Sequence, residues 1–203
     1  MGVEPRFTMG LALLLGLALS APATAQFSDA YTFLQGVKDR DGDKVTPLLN
    51  KPGAPVVNAR DPSTGETGLH IVVKRHDQTW LTFLLYKGAQ PELKDRAGNT
   101  PLMIAAQTGD VESARTLLTY GAGVNTVNSN GETSLILAVH RRDIAMIREL
   151  IAQGANPKIR DTIAGKSAED YASEDSRGAA IVKVLAEAKP KADAKKVSGP
   201  TLK

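Results

Sequence analysis

Residues Asn99–Asp110 read NTPLMIAAQTGD, and the chain says nearly the same thing twice more: Glu66–Asp77 reads ETGLHIVVKRHD and Glu132–Asp143 reads ETSLILAVHRRD. The three phrases are spaced 33 residues apart. Aligned on Gly98 and Gly131, residues 95–127 and 128–160 share Gly, Thr, Leu, Ala, Asp, Arg, Leu, Gly and Ala at that offset. Gly65, Thr67 and Leu69 fall on the same grid one unit earlier, and Gly88-Ala89, Gly121-Ala122 and Gly154-Ala155 recur with it. Self-similarity at a period of about 20–50 residues marks an array of stacked units.

Each recurring position has a physical job. Thr67, Thr100 and Thr133 precede apolar runs and can cap the free N–H groups of a helix. Pro101 fits the first helical position, where its missing N–H costs nothing. Small residues such as Ala105, Ala106 and Ala138 let helices approach closely. Gly109 can take the left-handed conformation that ends a helix. Asp77, Asp110 and Asp143 suit the start of a second helix, whose buried stripe is Leu84-Leu85, Leu117-Leu118 and Leu150-Ile151. Gly121 ends that helix, and the polar run to Gly131 turns back to begin again. Each unit is therefore helix, turn, helix and projecting loop.

The segment 95–125, DRAGNTPLMIAAQTGDVESARTLLTYGAGVN, resembles the ankyrin repeat, with D-x-x-G-x-T-P-L-x-x-A-A-x-x-G followed by L-L-x-x-G-A-x-x-N. The resemblance extends over about Phe33 to Ala188. It implies an all-α ankyrin-repeat solenoid of about five helix-turn-helix units, roughly 27–60, 61–94, 95–127, 128–160 and 161–188, with β-hairpin loops on one side. The outer units are atypical, as the caps of repeat arrays are. The first carries a Pro-rich insertion at Lys51–Pro55, and the last pairs GKSAEDYA with IVKVLAEA. The spacing slips to 34 before Gly65 and Gly165. The second unit has Gly68 in place of proline and the wider Val72-Val73 in place of Ala-Ala, which should loosen or shift its packing.

The rest of the chain sets bounds. Met9–Ser20 is an uncharged apolar run, preceded by Arg6 and followed by Ala23-Thr24-Ala25, so residues 1–25 read as a signal peptide cleaved before Gln26. The run is shorter than the roughly 20 residues a membrane span needs, and no integral membrane segment is expected in the mature chain. The pattern suggests a bacterial periplasm, with secretion to the medium as the alternative. The chain has no cysteine, so disulfides and thiol chemistry are out. The tail 189–203 holds five lysines and one aspartate. Its net +4, set against the chain's +3 and a leader that is neutral, leaves 26–188 at −1. The basic pI belongs to the tail, which reads as disordered, and a nucleic-acid partner is not expected. The tail can make at most a weak contact with anionic surfaces.

No catalytic constellation is legible. His70 holds the position of the histidine that the resemblance assigns to hydrogen bonding at a helix start. His76 and His140 lie two units apart, too far to share a metal ion. Ser134 and Ser167 stand where Pro101 and Thr100 stand in the third unit and read as helix starts. Neither enzyme activity, cofactor nor metal is expected. Trp80, Phe83 and Met146 lie outside the Leu-Leu stripe; they either fill gaps between units or form an exposed apolar patch.

What varies is the surface. By the resemblance, the first-helix ends and hairpin tips face a concave side where a partner is gripped. The residues so assigned are Lys74, Arg75 and His76; Gln107 and Thr108; His140, Arg141 and Arg142; Glu174 and Asp175; and, at the tips, Arg96, Asn99, Asn130, Glu132 and Lys166. A bland reading competes. Cations at helix C-termini stabilise the dipole without a partner, and Arg141 or Arg142 can pair with Glu174 or Asp175 in the next unit. The expectation is a monomeric, non-enzymatic module that binds, inhibits or protects another exported protein. The alternatives are a secreted factor acting on an extracellular or host protein and an accessory subunit of an exported enzyme complex.

Overall fold

A computed structural model describes residues 23–51 and 56–187. The leader up to residue 22, the run 52–55 and the chain from 188 onward lie outside the described residues.

Ten α-helices are described: α1 (Ala23–Asp39), α2 (Gly42–Leu49), α3 (Gly68–Lys74), α4 (Gln78–Tyr86), α5 (Pro101–Thr108), α6 (Val111–Thr119), α7 (Ser134–Arg141), α8 (Ile144–Ala152), α9 (Ala168–Glu174) and α10 (Ala179–Ala186). They form five consecutive pairs. The first helices pack in one row, α1 on α3, α3 on α5, α5 on α7 and α7 on α9, and α4, α6, α8 and α10 pack in a second row. The chain is an all-α repeat solenoid.

The helix starts follow the side chains foreseen. Thr100, Thr133 and Ser167 accept the N–H of Met103, Ile136 and Asp170. Asp77, Asp110 and Asp143 accept that of Trp80, Ser113 and Met146 at 3.0–3.1 Å. Each such cap stabilises its helix by about 1 kcal/mol. Pro101 and Ser134 occupy first helical positions. His70 is fully buried. Its Nδ1 accepts the Thr67 N–H at 3.1 Å, so its Nε2 carries the proton and donates to the Asn99 carbonyl of the next unit at 3.0 Å.

A single apolar core runs through all five pairs, from Phe33 to Leu185. Leu81, Leu84, Leu102, Leu117, Ile136, Ile147 and Leu150 are completely enclosed. Met146 is enclosed with them. Trp80 and Phe83 are half-buried against the core and meet edge to face at 5.6 Å. Val72 and Val73 are both fully buried, so the wider pair does not open the core. A Cβ on Gly68 would stand 3.1 Å from Leu84 and 3.5 Å from the Phe33 ring, so the glycine gives Leu84 of α4 and Phe33 of α1 room to come close at that point.

The projecting loops are fingers pinned by isolated antiparallel bridges, Arg60 with Thr67, Val127 with Thr133 and Arg160 with Ser167. Each finger is tied to the one before it. The N–H groups of Arg96, Ser129 and Thr162 donate to the carbonyls of Thr64, Ala97 and Asn130 at 2.8–3.2 Å. Gly98, at φ +80°, is what permits this approach: a Cβ there would lie 2.5 Å from the Ser129 backbone nitrogen.

Gly88 is also left-handed but has open space around its Cα. Both Gly98→Ala and Gly88→Ala incur the left-handed penalty of about 1–2 kcal/mol. Only Gly98→Ala adds a backbone clash, which should cost about 1–3 kcal/mol more. Urea unfolding of the two variants checks the difference. A second expectation concerns His70, whose burial pulls its pKa below the ordinary 6.5. A depressed pKa means the unfolded chain binds the proton more readily, so stability is full above about pH 6.5 and declines as the pH falls below it. Tm measured from pH 7.5 to 5 should fall in the native chain and fall less in His70→Gln.

Candidate functional site

The candidate surface is the face bounded by the first helices and the fingers. It is built from three registers that repeat along the stack. The innermost is the left-handed residue at the end of the first helix in units one to four: Arg40, His76, Gly109 and Arg142, with φ between +57° and +80°; α9 ends in extended backbone at Asp175 instead. Only Gly109 is glycine. The other three accept a conformational cost of about 1–2 kcal/mol each, and each turns a side chain onto an acidic group of the next unit. Arg40 Nε lies 2.6 Å from Asp77, His76 Nδ1 lies 3.2 Å from Asp110, and Arg142 grips both oxygens of Asp175. The Arg142 guanidinium holds the Asp175 carboxyl at a pKa of about 2, well below the usual value.

The second register is one residue earlier. Arg75 donates through Nη1 to the carbonyls of Val37 and Lys38 at the end of α1, at 2.6 and 3.1 Å. Its Nε reaches Asp77 at 3.0 Å, and its guanidinium sits 5.9 Å from the Trp80 ring centroid. Arg141 repeats the act two units on, donating to the Gln107 carbonyl at the end of α5 at 2.8 Å. Thr108 stands at this position in the third unit and turns its hydroxyl back onto the Ile104 carbonyl of its own helix.

The third register pairs a finger residue with a helix residue eight positions on. Glu66 pairs with Lys74, and Lys166 with Glu174. In the middle units the same positions are Asn99 with Gln107 and Glu132 with His140. There Asn99 and Glu132 turn to Asn128 instead, Asn99 Oδ1 and Glu132 Oε2 both accepting from its side-chain amide at 3.1 and 2.9 Å. That leaves the exposed Gln107 and His140 side chains with no polar partner among the described residues. His140 packs against the Tyr171 ring, edge on, at 4.4 Å.

At the tips, Arg96 donates to the Pro62 carbonyl of the previous finger, and the Asn130 side-chain amide reaches Glu132 at 3.4 Å. The structure thus commits most of the predicted residues' charges to other groups of the chain, in their own unit or the next. The arginines and Lys74 act largely as staples.

Sequence reasoning missed three contributors. Arg40 belongs to the left-handed register, and its signal was Val37-Lys38-x-x-Asp41 matching Val73-Lys74-x-x-Asp77; the insertion at 51–55 moved it off the grid. Ile163, at the tip of the last finger, is 77% exposed, and nothing in a single sequence marks a loop isoleucine as outward. Tyr171 forms the wall of a cleft of about 430 Å³ shared with His140, Arg142, Glu174 and Asp175. Its hydroxyl donates to Asp161 at 2.7 Å, which pushes its pKa up to about 12.

Comparison with known proteins agrees with this geometry. A family model described as ankyrin repeats (3 copies) matches residues 34–128, and one described as ankyrin repeat matches residues 130–162. Oxysterol-binding protein homolog 1 of Saccharomyces cerevisiae is 32% identical over 88 residues, 42% of this chain and 7% of that protein. The 2-5A-dependent ribonuclease of Homo sapiens is 32% identical over 97 residues, 48% of this chain and 13% of that protein. The chain spans a small part of both relatives.

The Arg142–Asp175 clasp gives a direct test. A carboxyl held below its unfolded pKa contributes stability that is full above about pH 4 and is lost as the pH falls toward 2. In Arg142→Ala the Asp175 carboxyl midpoint, followed by carbon-detected NMR, should rise from about 2 toward the model-compound value of 3.8. Because the pair is exposed, the variant's Tm at pH 7 should move little.

Proposed function

The chain belongs to the ankyrin-repeat family, and from that premise we propose that it is a non-enzymatic module that acts after export, where it holds, inhibits or protects another exported protein. Ankyrin repeats indicate a protein–protein interaction module. The observation that carries the reading is the contrast along the first-helix row and the fingers beside it. The core and cap positions recur from unit to unit, while Gln107, His140 and Ile163 present exposed side chains that make no polar contact with the rest of the described chain. A rigid repeat stack with a variable face binds by shape and polar complementarity, and a standard interface needs about 800 Å² per partner.

The periplasm is the proposed location on the strength of the leader in the sequence. Among the described residues no helix is long and apolar enough to cross a membrane. The oxysterol and 2-5A roles stated in the two relatives' names belong to proteins of which this chain matches 7% and 13%, and neither role is proposed for it.

Two measurements test the reading. Tagged mature chain, beside a Gln107→Ala/His140→Ala/Ile163→Ala variant, is exposed to an extract of exported proteins. A partner held by the native chain and held at least about tenfold less by the variant is expected, since truncation at an interface centre removes most of the binding energy. Equal retention by both would remove the site from this face. Cell fractionation with N-terminal sequencing should find the chain in the periplasmic fraction beginning at Gln26; an intact N-terminus in the cytoplasm would sink the location.

A further inference from the structure

We propose that the cleft between the fourth and fifth units is a socket for one arginine side chain of the partner protein. The proposal rests on the reading above that a protein docks on this face, and it names the chemistry that the face takes.

The argument comes from the chain's own repeats. At the junction of units one and two, Arg75 reaches back to the carbonyls of Val37 and Lys38, at the C-terminus of α1. At the junction of units three and four, Arg141 does the same to the Gln107 carbonyl of α5. A guanidinium suits that place because the carbonyls ending a helix carry partial negative charge, and its planar fork serves two acceptors at once. Counting from the capping residues Thr67, Thr133 and Ser167, Arg75, Arg141 and Asp175 occupy one register position. At the last junction, therefore, the chain supplies a carboxylate where the first and third junctions supply a guanidinium and the second supplies Thr108, whose hydroxyl turns back onto its own helix. The groups that would receive the cation belong to Val139 and His140, which stand where Val37 and Lys38 stand in the first unit. Both line the cleft.

The rest of the lining fits the same ligand. Arg142 and Asp175 neutralise each other. Glu174 is 57% exposed and pairs with Lys166 through Oε2 alone, which leaves its Oε1 to accept from a second cation. The Tyr171 ring has Lys166 Nζ 5.8 Å from its centroid and His140 against it, and a guanidinium stacks on such a ring better than that ammonium. Its ring is held in place by the hydroxyl bond to Asp161. Two first helices, α7 and α9, end here with their negative poles together, and a volume of about 430 Å³ admits a guanidinium with part of its stem.

The probe is N-acetyl-arginine methylamide, titrated into isotope-labelled mature chain and followed by NMR. The lysine and citrulline analogues are run beside it. The expected result is saturable shifts at His140, Tyr171 and Glu174, with half-saturation at about 1–10 mM as befits a single side chain. The lysine analogue should bind about threefold more weakly or less, and the citrulline analogue, isosteric but neutral, should leave these signals in place. In Asp175→Arg, which puts the chain's own guanidinium at the register position, the arginine probe should lose its effect. No shift at the cleft, or equal shifts from the citrulline analogue, would overturn the proposal, and so would undiminished binding in a folded Asp175→Arg. The citrulline comparison stands even if that variant does not fold. Partner retention that depends on the concave face while the probe leaves the cleft untouched would remove the socket and keep the binding module. Probe binding with retention indifferent to that face would do the reverse.

Discussion

The aspartate at the turn between the paired helices does two things at once. Asp77 accepts the Trp80 N–H and so starts its own second helix; the same carboxylate receives Arg40 from the unit before and Arg75 from its own. Asp110 caps α6 and receives His76. One small side chain thus fixes a local turn and the spacing between units. The desolvation cost of burying it is offset because its lone pairs are used from both directions. Breaking it would therefore disturb secondary and quaternary-like order together, which is how a stack without a closed core per unit keeps its register.

This arrangement explains why three of four left-handed helix ends are not glycine. Glycine would adopt φ near +57° without penalty, and Gly109 does so. Arginine and histidine at Arg40, His76 and Arg142 give up that ease, yet the left-handed backbone aims each side chain at the next unit's carboxylate. Where the third unit has Gly109, the neighbouring Arg141 fills the space instead: its Nη2 would lie 3.0 Å from a Cβ there. Strain and charge are exchanged between adjacent positions along the row.

The same exchange shapes the surface left for a partner. Ion pairs close the two ends of the finger-to-helix row, Glu66 with Lys74 and Lys166 with Glu174. In the middle, Asn128 is buried and draws Asn99 and Glu132 to itself. Gln107 and His140 are consequently released toward solvent, beside the cleft walled by Tyr171. A face that looks strongly charged in the sequence is locally neutral, with a short polar and aromatic window near its C-terminal half. Recognition by such a face relies on shape and on a few directional contacts more than on long-range steering.

Much of this was fixed by the chain's own text. The 33-residue recurrence, the capping threonines and aspartates and the left-handed Gly109 specify helix pairs that must stack, because an apolar stripe of this width has nowhere else to be buried. His70 could be assigned as structural for the same reason. Which charges remain available was not written there. Arg75, Arg141 and Arg142 read as a basic row, yet each reaches about 33–38 residues along the chain to a carbonyl or carboxylate that only the stacking brings within 3.1 Å. Ile163 and Tyr171 gave no signal because exposure and cleft walls depend on how neighbouring fingers and helices close, and periodicity is silent on that. Local propensity and pattern chose the units; the contacts between units, set by distance in space rather than along the chain, chose the surface.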